Sequence, residues 1–215
     1  IGYSLTGMTS ERCIFILHGE GRNGKTTLLL VLLALLDSYA LRTPTSTLMA
    51  KRGDSISNDV ARLKGARFVA AAETDEGRRL AEAMIKDLTG QDKISARFLH
   101  QEFFDFSPIC KIWLATHHKP EIRGTDRAIW DRIRLIPFNV RISDEDLDPD
   151  LINKLKAELP GILALAVQGC FDWQQERLGN PTAITLATSQ YQSEMDSLGG
   201  FIGECCVTGD SMTVG

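Results

Sequence analysis

The chain has 215 residues, 43% of them hydrophobic and 24% charged, with a formal net charge of −4 at pH 7. This is the composition of an ordinary soluble globular protein, long enough to bury a sizeable core in one large or two small domains. The acidic balance excludes a global field that would draw the chain to nucleic acid, so any DNA contact has to come from local basic patches.

Residues 1–9 carry no start signal and read as the tail of something earlier. The last eight, 208–215, stop without an element to finish on, so the expectation is a fragment of a longer protein. Residues 13–17 form a short apolar run with strand character. Gly19-Glu20-Gly21-Arg22-Asn23-Gly24-Lys25-Thr26 follows and fits G-x-x-x-x-G-K-[ST], and residues 26–36 are apolar enough for a buried helix. Strand, glycine loop and helix in that order are the context of a phosphate-binding loop. Gly19, Gly21 and Gly24 let the backbone N–H groups, with those of Arg22, Asn23 and Thr27, curl around an anion at the positive end of the helix. Lys25 would reach the β- and γ-phosphates of ATP, and the Thr26 hydroxyl would ligate Mg²⁺.

The stretch 41–55 is polar and turn-rich and reads as mostly loop. A short helix is expected at 58–63 and a second apolar strand at 67–72. That strand delivers Glu73, Asp75 and Glu76 at its C-terminal end, where an NTPase needs carboxylates for the metal and the attacking water. Glu73 is the first choice for both, then Glu76, then Asp75. A helix is expected over 78–88.

Residues 93–97 and 103–106 alternate around an exposed tip, 98–102, and suggest a β-hairpin. Lys93, Arg97 and His100 give it a local positive and aromatic character that suits a nucleic-acid backbone. A third strand, 109–116, ends at His117 and His118. Adjacent strand residues point to opposite faces, which argues against their sharing a metal ion. The segment 123–134 holds Arg123, Arg127, Arg132 and Arg134 and leads into a fourth strand at 133–138. These arginines suit either salt-bridging surface or an arginine finger.

Beyond Asn139 the periodicity is helical: one helix at 148–159, a second opened by Pro160 and running to Arg177, a third at 183–206. In the second, Ile162, Leu163, Leu165, Ala166, Phe171 and Trp173 are expected to face inward. The fold class is therefore α/β: a P-loop NTPase core over 1–140, with a central parallel sheet flanked by helices, and a helical lid over 141–215. Cys13, Cys110, Cys170, Cys205 and Cys206 show no metal or disulfide spacing, which with the lack of a signal peptide or membrane span points to a reducing, cytoplasmic setting.

The motifs at 19–26, 72–77, 89–97, 114–120 and 123–138, in this order, resemble the superfamily 3 helicase domain of phage and plasmid primase-helicases, shared by poxvirus primase-helicases. The resemblance covers nearly the whole chain. It implies an AAA+-type core, a homohexameric ring, and ATP-driven 3′→5′ translocation on single-stranded DNA, with a primase or polymerase domain upstream. It matches Lys25 and Thr26 to the Walker A pair, Glu73 and Glu76 to the Walker B acids, and residues 93–104 to a hairpin projecting into the central channel. Arg132, with Arg134 as the alternative, matches the arginine finger. His117 departs from the pattern, which usually has Asn at this sensing position. A DNA-binding ATPase switch and a small-molecule kinase are the alternatives from other classes.

Overall fold

The computed structural model describes residues 1–51, 58–73, 75–124 and 126–196. Seven strands are described: β1 (Ile14–His18), β2 (Ala40–Arg42), β3 (Phe68–Ala72), β4 (Ile94–Ala96), β5 (Phe104–Phe106), β6 (Lys111–Thr116) and β7 (Ile133–Pro137). The helices are α1 (Lys25–Leu36), α2 (Asn58–Ala61), α3 (Glu82–Thr89), α4 (Arg127–Trp130), α5 (Leu151–Ala157), α6 (Leu159–Glu176) and α7 (Thr182–Met195). Five strands form one parallel sheet in the order β2-β3-β6-β1-β7, and β4 pairs antiparallel with β5 as a separate hairpin. The expected α/β class with a central parallel sheet is what folds.

The four long strands are mostly apolar because both faces of the sheet are covered. Their side chains alternate between two cores with period two. Ile14, Ile16, Val69, Ala71, Ile112, Leu114, Ile133 and Leu135 join the core that also takes residues from α3, α4, α7 and the hairpin. Cys13, Phe15, Leu17, Phe68, Ala70, Trp113 and Ala115 join the opposite one, with Leu29, Leu32 and Leu36 of α1, Tyr3 and Trp173. Trp113 anchors that second face. Its ring stacks on Phe15 at 4.6 Å and tilts against Phe68 at 5.9 Å, and its indole N–H donates to Ser4 Oγ at 3.1 Å. Full burial of such a side chain contributes roughly 1.5–3 kcal/mol.

The edge strand β7 is covered by α7. The Leu135 N–H donates to Thr188 Oγ1 at 3.1 Å, and Tyr191 is wholly buried against Trp130, 5.3 Å between ring centroids. An edge N–H that would otherwise invite a foreign strand is thus paired within the chain.

Three expectations need correction. Residues 41 and 42, at the start of the stretch read as mostly loop, belong with Ala40 to a strand. Parallel pairing with β3, from Ala40↔Phe68 to Arg42↔Ala70, fixes them although the local composition is turn-like. The helix expected from residue 78 begins at Glu82, because Arg79 and Leu80 are held in isolated bridges with Glu121 and Met49. In α6, Ala166 and Trp173 are buried, but Leu163, Leu165 and Phe171 are 43%, 76% and 54% exposed. The helix is apolar on most sides, and only the side meeting the N-terminal turn at Gly2–Leu5 and α1 is covered. The expected helices at 148–159 and 160–177 are found as α5 and α6, with trimmed ends. The last expected helix is seen as α7 up to Met195; its remainder, with Cys205 and Cys206, lies outside the described residues.

Cys13 and Cys110 are buried and Cys170 half-buried, all three free. Burial pushes the Cys13 thiol up to about 12 and that of Cys110 to about 11, so both behave as small core hydrophobes. No helix among the described residues is long and apolar enough to cross a membrane.

Candidate nucleotide-binding site

In a parallel sheet, loops gather at the carboxyl ends of the strands, and ligands bind in the crevice there. β1 lies between β6 and β7, so the turns after these three strands meet. The turn after β1 is the glycine loop. Gly19 has φ +156, and a Cβ there would stand 2.2 Å from the Phe138 carbonyl oxygen. No side chain fits between the loop and the end of β7. Gly24 caps α1 in the left-handed region, φ 85, and no side chain caps the first turn of the helix. Its N–H groups therefore face the loop as donors with no side-chain acceptor of their own.

Lys25 is buried, and its Nζ donates to the carbonyl oxygens of Gly19 and Glu20, the latter at 2.9 Å, and to Asn23 Oδ1 at 2.9 Å. Burial lowers its pKa, while the Glu73 carboxylate acts in the opposite direction. Asn23 turns its amide the other way, donating to the Phe138 carbonyl at 3.0 Å. It clamps the loop to β7. The Arg22 guanidinium pairs with the Asp144 carboxylate, and the Ile142 N–H donates to the Arg22 carbonyl at 2.7 Å. Thr26 is exposed and Thr27 half-buried at the start of α1.

Glu73 directly follows β3. Its N–H donates to the Ala115 carbonyl at 3.0 Å, extending the β3–β6 ladder by one bond. Its φ is +66, a conformation that costs a non-glycine residue on the order of 1–3 kcal/mol and concentrates at functional sites. The carboxylate is 68% exposed and lies 3.7 Å from His117 Nε2. His117 also stands beside the glycine loop: the two line one cleft, and a Cβ at Gly21 would be 3.7 Å from its Cε1. The imidazole therefore stands between two clefts. One, about 380 Å³, is lined by the loop, His18, His117 and residues 138–141. The other, about 420 Å³, is lined by Glu73, Asp75, Glu76, His117 and His118.

The structure thus gathers Lys25, Glu73 and His117 at the carboxyl ends of the adjacent strands β1, β3 and β6, with Asp75 and Glu76 exposed beside Glu73 and His117. It does not bring Arg132 to them. Arg132 precedes β7, and its carbonyl accepts from the Ile14 N–H at the start of β1. It therefore lies at the opposite edge of the sheet from the loop. Its Nε donates to Thr89 Oγ1 at 3.1 Å and its guanidinium also to the Ala128 carbonyl. Arg134 Nη1 donates to the carbonyls of Asp131, at 2.9 Å, and Ile133. Lys93, Arg97 and His100 are all exposed on the hairpin, away from the clefts.

His18 is a site residue that the motif reading passed over. It ends β1, lines the loop cleft and reaches a second cleft of about 400 Å³ under α7. Burial, then the nearby Lys119 ammonium, holds its pKa below the ordinary histidine value. A polar residue closing an apolar strand, one position before the motif, was the available signal.

The donor set suits a hard divalent cation coordinated mainly through nucleotide phosphates: a hydroxyl at Thr26, a carboxylate at Glu73, and, among the described residues, no cysteine lining the clefts beside them.

The chain is 28% identical over 230 residues to "Putative helicase L207/L206" of Acanthamoeba polyphaga mimivirus, taking in 98% of this chain and 24% of that protein. It is 25% identical over 223 residues to "Putative helicase 022R" of Frog virus 3 (isolate Goorha), taking in 94% of this chain and 23% of that protein. The chain thus spans about a quarter of the length of the curated relatives it matches. In fold it is similar to the apo structure of the NrS-1 C-terminal region in its A form. The TM-score is 0.62 at 13% identity, over 92% of this chain and 51% of that one. A second apo structure of that region (305–718) gives a TM-score of 0.55 at 11% identity, with the same coverage. Strands β2, β3 and β6, the glycine loop, the acidic strand end and the hairpin all fall within residues 17–132, which match the family described as "Family of unknown function (DUF5906)". More than half of the chain is matched, and the chain belongs to that family.

Proposed function

We propose that this chain is the ATP-hydrolysing motor core of a helicase of the superfamily 3 type, working as a ring-shaped homohexamer that moves 3′→5′ on single-stranded DNA. The observation that carries the reading is the meeting of Lys25, Glu73 and His117 at the carboxyl ends of three adjacent parallel strands. The helicase names of the viral relatives support it, as does the hairpin, an element that a small-molecule kinase does not need. In the full-length protein, the same resemblance puts a primase or polymerase domain upstream. The proposed division is a core over 1–140 and a helical subdomain over 141–215, in a protein working in the cytoplasm.

In this reading the loop N–H groups and Lys25 bind the β- and γ-phosphates and offset the charge that develops on transfer. Thr26 and Glu73 would hold Mg²⁺, which when bound neutralises phosphate charge. Glu73 also takes the proton of the water that attacks the γ-phosphorus. Asp75 and Glu76 stand in reserve in the same cleft. His117, where the resembling family usually has Asn, donates a hydrogen bond from between the base and the loop. Arg132, lying at the far edge of the sheet from its own phosphate loop, serves the site of the neighbouring subunit in the ring, with Arg134 as the alternative.

Glu73→Gln tests the assignment. The amide keeps the shape and loses the charge, so ATP should bind within a few-fold of wild type. Turnover should fall at least about a hundredfold, the scale of a lost general base. If Glu76→Gln reproduces that split while Glu73→Gln turns over normally, the base sits three residues further on.

A further inference from the structure

The hairpin tip displays apolar surface that the core does not use. Ala96 and Phe106 are buried in the main core, and Phe104 packs against it. Phe103, on the returning strand, is 53% exposed, and Leu99 in the turn is 72% exposed. The pairing of Ile94 with Phe106 and of Ala96 with Phe104, continued one step outward, sets Arg97 opposite Phe103. The Arg97 guanidinium lies over the Phe103 ring, 4.8 Å from its centroid. A cation thus backs one face of a ring that is about half exposed.

The tip is also held in place. The Leu99 N–H donates to Asn58 Oδ1 at 3.2 Å, and Gln101 N–H to the Phe98 carbonyl at 3.0 Å. Phe98 stacks on Phe104 at 5.6 Å, and Lys64 Nζ sits 4.7 Å from the centre of the Phe104 ring. The cations here are Lys64, Lys93 and Arg97, but the hairpin segment 92–106 also carries Asp92, Glu102 and Asp105. Three against three leaves little net field for phosphates. An ordered, exposed ring backed by a guanidinium suits something else: the flat face of an unpaired base, with the cation close to its phosphate.

We propose that Phe103, backed by Arg97 and flanked by Leu99, stacks on a base of the single strand, so that the hairpin grips bases as well as backbone. This rests on the reading that the chain binds single-stranded DNA. The test measures binding by fluorescence anisotropy over a range of salt concentrations. It uses a labelled oligothymidine and an abasic strand of the same length. Phe103→Ala should weaken oligothymidine binding about tenfold or more, the scale of one base–aromatic stack. Its abasic affinity should match wild type, and its salt slope should not change, because a lost stack displaces no counterions. Phe103→Trp should restore the affinity. Lys93→Ala should differ in kind, weakening both strands and making the slope shallower by about 0.7. Unfolding midpoints of all variants check the fold. Equal weakening on both strands by Phe103→Ala, or no rescue by Trp, would overturn the proposal and leave Phe103 as packing for Arg97. Wild-type binding to neither strand would instead overturn the DNA reading itself, and the proposal with it.

Discussion

Lys25→Ala is expected to abolish ATP hydrolysis. The ammonium is the cation that the loop motif requires, while Arg22, the other cation of the loop, is paired with Asp144, and charge stabilisation is most of what a protein contributes to phosphoryl transfer. The structure adds a second consequence. Lys25 Nζ ties together the Gly19 and Glu20 carbonyls and Asn23 Oδ1, so its removal also loosens the loop that has to present its N–H groups. Those bonds are local, and a typical hydrogen bond has a net worth of about 1 kcal/mol. The unfolding midpoint should therefore fall only modestly while phosphate release drops to background. Near-normal turnover in this variant would end the NTPase reading.

The second large effect requires an oligomer. Arg132→Ala leaves every subunit its own phosphate loop, so ATP should bind with near-normal affinity. Hydrolysis should collapse by on the order of a thousandfold, because the charge on the neighbour's γ-phosphate is no longer met in the transition state. The structure makes one control necessary. Arg132 also donates to Thr89 Oγ1 and the Ala128 carbonyl within its own subunit, so the variant can lose activity through local unfolding alone. Mixing separates the two causes. Combined with Lys25→Ala subunits, Arg132→Ala subunits should regain some activity at interfaces where an intact loop meets an intact arginine. Arg134→Ala should be milder, since that side chain bonds to carbonyls beside it. If no mixture ever rescues, the shared-site arrangement is wrong and Arg132 is a structural arginine.

The parts of this site that were legible in the sequence are those that local chemistry dictates. The glycine loop between an apolar strand and an apolar helix left few alternatives, and β3 and β6 announced themselves as runs buried on both faces. What the sequence hid is what distant residues decide. β2 is three residues long, and only its partner β3 makes it a strand. Arg79 and Leu80 have helical company but are captured by Glu121 and Met49. Arg22 meets Asp144 across 122 residues, a pairing that no local pattern encodes. On α6, hydrophobicity on nearly every side conceals which side is covered, so Leu163, Leu165 and Phe171 were expected inside and lie outside. The place of His117 between Glu73 and the glycine loop follows from the strand order, because β6 lies between β3 and β1. Sequence spacing does not reveal that order.

The measurement that bears most directly on the account is the rate of ATP hydrolysis by the wild-type chain, with and without single-stranded DNA, beside the Lys25→Ala variant as background. A motor couples the two ligands, so a Lys25-dependent rate should rise severalfold on adding the single strand and much less with a duplex of equal length. A Lys25-dependent rate that no single strand changes would contradict the account, leaving a phosphate-loop ATPase without a DNA motor.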